Sequence, residues 1–126
     1  MNKTTLWVID DEPSITRMLK LVLERSLPVE VVPFQDARDV LTRLDETNSA
    51  RPDLIISDLR MPHMDGLTFC RALKEKEHAI PVIILSAYVT SEMDEESQEL
   101  GIRSFVQKPF IPREFVEMIR AYIPES

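Results

Sequence analysis

Four places in the chain carry residues able to do chemistry, and each stands at or just past the end of a short apolar run. Asp10-Asp11-Glu12 follow Leu6-Trp7-Val8-Ile9, and Ser57-Asp58 follow Leu54-Ile55-Ile56. Ser86-Ala87 follow Val82-Ile83-Ile84-Leu85, and Lys108-Pro109 come shortly after Ser104-Phe105-Val106. Taken singly, each has a plain structural role. An aspartate after a strand caps the next helix, and Asp11 and Glu12 stand ahead of Pro13, which suits a first helical turn. A serine makes a turn, and a lysine before proline is a solvated loop. Taken together they are a reactive set. Carboxylates brought to one place repel and raise one another's pKa, so the cluster calls for a cation. Lys108 supplies part of it. A hard divalent ion supplies the rest, and carboxylates, carbonyls and water are the ligands that suit Mg2+.

Bringing these residues together requires a particular architecture. The apolar runs are uniformly apolar rather than alternating, which marks strands buried on both faces of a parallel sheet covered by helices. Between them lie helical patterns. Ile15, Met18, Leu19 and Val22 fall at i, i+3, i+4, i+7; Ala37, Val40, Leu41 and Leu44 follow Asp36, a good N-cap; Leu67, Cys70 and Leu73 begin a third helix. Glu92 to Leu100 is a weakly apolar, acid-rich fourth helix, and Phe115, Val116, Ile119, Tyr122 and Ile123 form the last helical face, with Pro112 near its start. With the β-branched run Val29 to Phe34, the pattern is five strands alternating with five helices, with right-handed crossovers between parallel strands. In an open α/β sheet, ligands bind beyond the carboxyl ends of the strands, where all four chemical segments fall.

Composition narrows the function. The 126 residues suit one domain, residues 1–126, with no linker or second domain visible. Hydrophobic residues at 44% and charged residues at 29% are ordinary globular values. Only two glycines are present, which excludes a glycine-rich phosphate loop, and one cysteine excludes an intrachain disulfide and fits a reducing compartment. No apolar run is long enough to span a bilayer, and the N-terminus lacks a signal peptide's features, so a cytoplasmic location is expected, with no membrane partner. The net charge of −7 comes without any cluster of lysine and arginine, so direct nucleic-acid binding is not expected.

The chain resembles the receiver domain of two-component response regulators over essentially its whole length. The resemblance rests on V-I-D-D-E-P at Val8 to Pro13, D-L-R-M-P-H-M-D-G at Asp58 to Gly66, L-S-A at Leu85 to Ala87 and F-V-Q-K-P-F at Phe105 to Phe110. It implies a flavodoxin-like doubly wound sheet in the order 2-1-3-4-5. It implies that Asp58 accepts a phosphoryl group from a phosphohistidine on a sensor histidine kinase or phosphotransfer protein. Asp11, Asp58 and the backbone carbonyl of Arg60 would bind Mg2+, with Asp10 acting mainly through a coordinated water. Lys108 would pair with Asp58 and then with the phosphoryl oxygens, Ser86 would bond the phosphoryl group, and Phe105 would be the aromatic partner of that switch. The Lys108–Pro109 bond is commonly cis in this family. The output would be a changed surface of the fourth helix, fifth strand and fifth helix, offered to an output domain, an effector protein or a second copy in a homodimer.

Three residues depart from the family pattern. Phe105 lacks a tyrosine hydroxyl, Ser86 lacks a threonine methyl, and Ile111 stands where a polar cap for the last helix is common. Arg60 and Tyr88 flank the phosphate position, as guards of the phosphorylated state or as solvated rim residues. Two rival readings remain beside this one. A haloacid-dehalogenase-type phosphatase needs a second aspartate two residues past the nucleophile, where this chain has Arg60, and a receiver that is never phosphorylated would serve only as an interaction module.

Overall fold

The computed structural model describes residues 3–46, 50–87 and 98–123. Five strands, β1 (Thr4–Ile9), β2 (Val29–Phe34), β3 (Leu54–Asp58), β4 (Val82–Ser86) and β5 (Ile102–Gln107), form one parallel sheet in the order β2-β1-β3-β4-β5. The helices are α1 (Pro13–Ser26), α2 (Ala37–Asp45), α3 (Gly66–Glu75) and a last helix, Pro112–Arg120. Most of the expected fourth helix, Glu92 to Leu100, lies outside the described residues; residues 98–100 are helical.

The uniform apolarity of the central strands has the expected cause. Side chains alternate between two faces, and both are covered. Leu6, Val8, Leu54, Ile56, Ile83 and Leu85 point into a core closed by α1 and the last helix. Trp7, Ile9, Ile55 and Ile84 point into a second core closed by α2 and α3. Each such Leu or Ile contributes about 1.5–3 kcal/mol through burial. Cys70 lies in this second core, and burial pushes its thiol up to about 12, which makes it an inert hydrophobe.

Register delivers the chemistry. Ile9 stands opposite Ser57, Asp58 opposite Leu85, and Ser86 opposite Gln107, so β1, β3, β4 and β5 run out at one edge. At the outer edge of β2, α1 supplies bonds that a further strand would otherwise make. Lys20 Nζ donates to the Val31 carbonyl at 2.8 Å, and the Val31 N–H donates to Glu24 Oε2 at 2.9 Å. That satisfied edge, with Pro33 in the same strand, discourages pairing with another chain.

Local signals set the helix starts. Asp36 caps α2, its carboxylate accepting from the Arg38 N–H at 2.9 Å, and Asp65 caps α3 through the Thr68 N–H at 2.7 Å. Ile111 precedes the last helix without a side-chain cap, as an apolar residue must. β5 extends one residue beyond the expected Ser104-Phe105-Val106 at Gln107 and two at Ile102 and Arg103; Ile102 is buried, but the exposed Arg103 and Gln107 interrupt the apolar signal.

Candidate functional site

Asp10 leaves the end of β1 with its N–H donated to the Phe34 carbonyl at 3.1 Å. The residue is only 3% exposed. Its Oδ1 accepts from the Glu12 N–H at 3.0 Å, which folds the chain back after the strand. Its Oδ2 is buried and has no hydrogen-bond partner among the described residues. Asp11, one residue on, is exposed.

Asp58 is the last residue of β3, and its backbone is clamped. The next N–H, of Leu59, donates to the Leu85 carbonyl at 2.9 Å, and the Gly66 N–H donates to the Leu59 carbonyl at 2.7 Å. Gly66 passes so near that a Cβ there would meet the Asp58 carbonyl oxygen at 2.8 Å and the Leu59 Cα at 3.2 Å. Only glycine fits at that approach. Ser57, fully buried, donates its hydroxyl to the same Asp58 carbonyl at 2.9 Å.

Lys108 arrives from beyond β5. Its N–H donates to the Ser86 carbonyl at 2.8 Å, and the Lys108–Pro109 peptide is cis. Its ammonium donates to Asp58 Oδ1 at 2.8 Å and stands 3.7 Å from Asp10 Oδ2, an ion pair too long for a hydrogen bond. Carboxylate oxygens of Asp10, Asp11 and Asp58 all lie within 4.8 Å of one another. Ser86 is buried at the end of β4. Phe105 is half-buried against the core beneath α2 and α3. Arg60 is exposed on the loop after Asp58, where it lines a shallow depression with Met61, Pro62 and Asp65. Tyr88 lies outside the described residues.

The electrostatics follow from this packing. Burial raises the Asp10 pKa, and the charges of Asp58 and Asp11 add to it; the Glu12 N–H and Lys108 oppose the rise without cancelling it. Burial works against the Lys108 ammonium, but the hydrogen bond and charge of Asp58, with the charge of Asp10, outweigh it, so its pKa is raised. Three carboxylates face one ammonium, and the excess negative charge surrounds an orphaned, buried carboxylate oxygen. An oxygen-only donor set with that charge and a spare inward lone pair fits a hard divalent cation such as Mg2+.

Asp10, Asp11, Asp58 and Lys108 thus meet at one edge, as their places at strand ends predict, and Ser86 ends the neighbouring strand with its carbonyl on the Lys108 N–H. Sequence reasoning quoted Gly66 without assigning it a task and passed over the hydroxyl of Ser57. The scarcity of glycine in this chain was the available signal for the first.

The family model for the response regulator receiver domain matches residues 6–120. The chain is 36% identical to the DNA-binding transcriptional regulator NtrC of Proteus hauseri, over 98% of this chain and 25% of that protein. It is 34% identical to the alkaline phosphatase synthesis transcriptional regulatory protein PhoP of Bacillus subtilis, over 100% of this chain and 50% of that one. It therefore spans a quarter to a half of the length of these curated relatives. Among solved structures, the Vibrio cholerae chemotaxis protein CheY4 superposes with a TM-score of 0.84 at 27% identity, covering 97% of this chain and 100% of that chain. The response regulator protein TrrA of Thermotoga maritima, solved in complex with Mg2+ and BeF, superposes with a TM-score of 0.78 at 27% identity, covering 95% of this chain and 99% of that one. Among the described residues no helix is long and apolar enough to cross a membrane.

Proposed function

The chain belongs to the response regulator receiver domain family, the phosphoacceptor signalling domains of two-component systems, and on that premise we propose that Asp58 is its phosphoacceptor, working with Lys108 and Mg2+. The observation that carries this reading is the Lys108 ammonium on Asp58 Oδ1 at 2.8 Å, beside two further carboxylates at the carboxyl edge of the sheet.

In the proposed reaction, an oxygen of the Asp58 carboxylate attacks the phosphorus of a phosphohistidine on a sensor histidine kinase or phosphotransfer protein. The P–N bond of the donor breaks, and its electron pair leaves with the imidazole. The product is an acyl phosphate, which water can later hydrolyse, so the domain promotes both its own phosphorylation and its dephosphorylation. Asp10, Asp11, Asp58 and the Arg60 carbonyl would hold Mg2+. Bound there, the ion would supply positive charge that offsets the charge of the phosphoryl oxygens while phosphorus passes from the donor nitrogen to the Asp58 oxygen. Lys108 is already on Asp58 and redirects its ammonium hydrogen bond to a phosphoryl oxygen as charge builds there. Buried Ser86, at the end of the neighbouring strand, turns its hydroxyl toward the new group. Phe105 then takes up the space released, with burial alone favouring its inward state because it has no hydroxyl to satisfy.

The changed surface of the fourth helix, β5 and the last helix would be read by an output domain or effector protein, or by a second copy. The domain itself would bind neither nucleic acid nor membrane, and would act in the cytoplasm. Electrospray mass spectrometry after incubation with a phosphorylated phosphotransfer domain tests the acceptor. One phosphate adduct is expected with Mg2+, little without it, and none on Asp58→Ala. A full adduct on the Asp58→Ala chain refutes the assignment.

A further inference from the structure

We propose that Gln35 is a positioning residue for the acidic turn Asp10 to Glu12, acting through the buried hydroxyl of Thr16; the proposal rests on the reading that this turn holds Mg2+. The first turn of α1 differs from those of α2 and α3. It has no side-chain cap, whereas Asp36 and Asp65 cap the other two. Glu12 occupies the cap position without using its side chain, and Pro13 follows it. The turn that carries the metal-binding acids therefore needs support from elsewhere.

Support comes from the end of β2, in two bonds from adjacent residues. The Phe34 carbonyl accepts the Asp10 N–H at 3.1 Å, which fixes the start of the turn. Gln35 Nε2 donates to Thr16 Oγ1 at 2.9 Å, and that hydroxyl donates in turn to the Pro13 carbonyl at 3.1 Å. This second path fixes the end of the turn. Thr16 is 1% exposed, so its hydroxyl depends on these partners rather than on bulk water. Between the two anchors lie Asp10, Asp11 and Glu12. Carboxylates that repel one another move apart when the chain allows it, and these anchors limit that movement. Removing the Gln35 bond frees the turn to relax outward and weakens the cation site, with little change to the packed core.

The proposal has a direct test. Mg2+ affinity is measured by isothermal titration calorimetry on the full chain and on Gln35→Ala, Thr16→Val, Thr16→Ser and the Gln35→Ala/Thr16→Val double variant. The metal-free Tm of each is recorded alongside. Gln35→Ala and Thr16→Val are each expected to weaken the Mg2+ Kd roughly threefold to tenfold, the scale of one lost supporting hydrogen bond behind a metal ligand. Thr16→Ser keeps the hydroxyl and is expected to retain the parent Kd. The double variant is expected to match the weaker single variant, because the two groups act in series. An unchanged Kd in Gln35→Ala overturns the proposal, and a fall in the metal-free Tm alone assigns the bond a merely structural role. Gln35 is exposed, so its variant carries the test even if Thr16→Val fails to fold. Absence of Mg2+ binding by the parent chain is a separate result, which overturns the metal reading and this inference with it.

Discussion

Two lysine–aspartate pairs in this molecule have nearly the same length and stand in different surroundings. At the carboxyl edge of the sheet, Lys108 meets Asp58 at 2.8 Å; where α2 and α3 end, Lys76 meets Asp45 at 2.9 Å. The side chains of the first pair are 29% and 13% exposed, those of the second 43% and 47%. Around Asp45 every charge finds company in water: Lys76 and His78 bond the carboxylate, and Arg51 lies 3.2 Å from His78 Nδ1. Those hydrogen bonds, from Lys76 first, hold the Asp45 pKa below its ordinary value. Asp10, beside the first pair, is shifted the other way by burial. Separation therefore does not distinguish a pair set in a charged, buried cluster from a surface clamp. Burial, and a carboxylate oxygen left without a hydrogen bond, do.

Mg2+ gives the largest expected separation of the two regions. At 100 times its dissociation constant, a bound ion raises stability by about 2.7 kcal/mol, read as an increase in Tm. The increase is expected to vanish in Asp11→Asn and to persist in Asp45→Asn. Equal responses in the two variants would erase the distinction.

Gly66→Ala comes next. The added methyl meets the Asp58 carbonyl at 2.8 Å, so the backbone at Asp58 must shift. A loss of about 1–3 kcal/mol in urea denaturation is expected, as for other overpacked sites, together with slower phosphate uptake. Parent-like stability and phosphorylation would show that the clamp beneath Asp58 is slack.

Neutralising the buried acid has the opposite sign. In metal-free buffer at neutral pH, Asp10→Asn removes a desolvated charge that its neighbours repel, and a gain of about 1 kcal/mol is expected. Asp45→Asn brings no gain, since it removes an acceptor from a paired and solvated cluster. Metal-free denaturation curves of the two variants decide this, and a loss in Asp10→Asn would mean that Lys108 outweighs burial.

The pH dependence is the smallest effect. Asp10 has a folded pKa above its unfolded value, so the native state holds the proton more tightly, and its contribution falls as pH rises from near 3.8 through the raised value. Asp45 has a folded pKa below its unfolded value. Its contribution is present above about 3.8 and is lost as pH falls through the lowered one. Comparing each Asn variant with the parent across acid pH should give slopes of opposite sign, and slopes of one sign would contradict the assigned causes.

Much of the carboxyl edge was legible because its parts are local. An apolar run that stops at a charged residue marks both a strand and its end, and Asp36 announced the start of α2 in the same way. Glu92 to Leu100 read as a helix of low apolarity, and most of it lies outside the described residues. β5 was read short because an edge strand need not be apolar at both ends.

The order of residues along the chain determined that Asp10, Asp11, Asp58, Ser86 and Lys108 would share one edge. Strand ends follow from local apolar pattern, and parallel strands with right-handed crossovers leave those ends together. Tertiary structure alone decided that Asp10 Oδ2 is left without a hydrogen bond among the described residues, that Gly66 passes close to the backbone of Asp58, and that Gln35 reaches Thr16. These are contacts between atoms of separate elements. Local propensity does not encode them, because they depend on how closely packed faces approach, to tenths of an ångström.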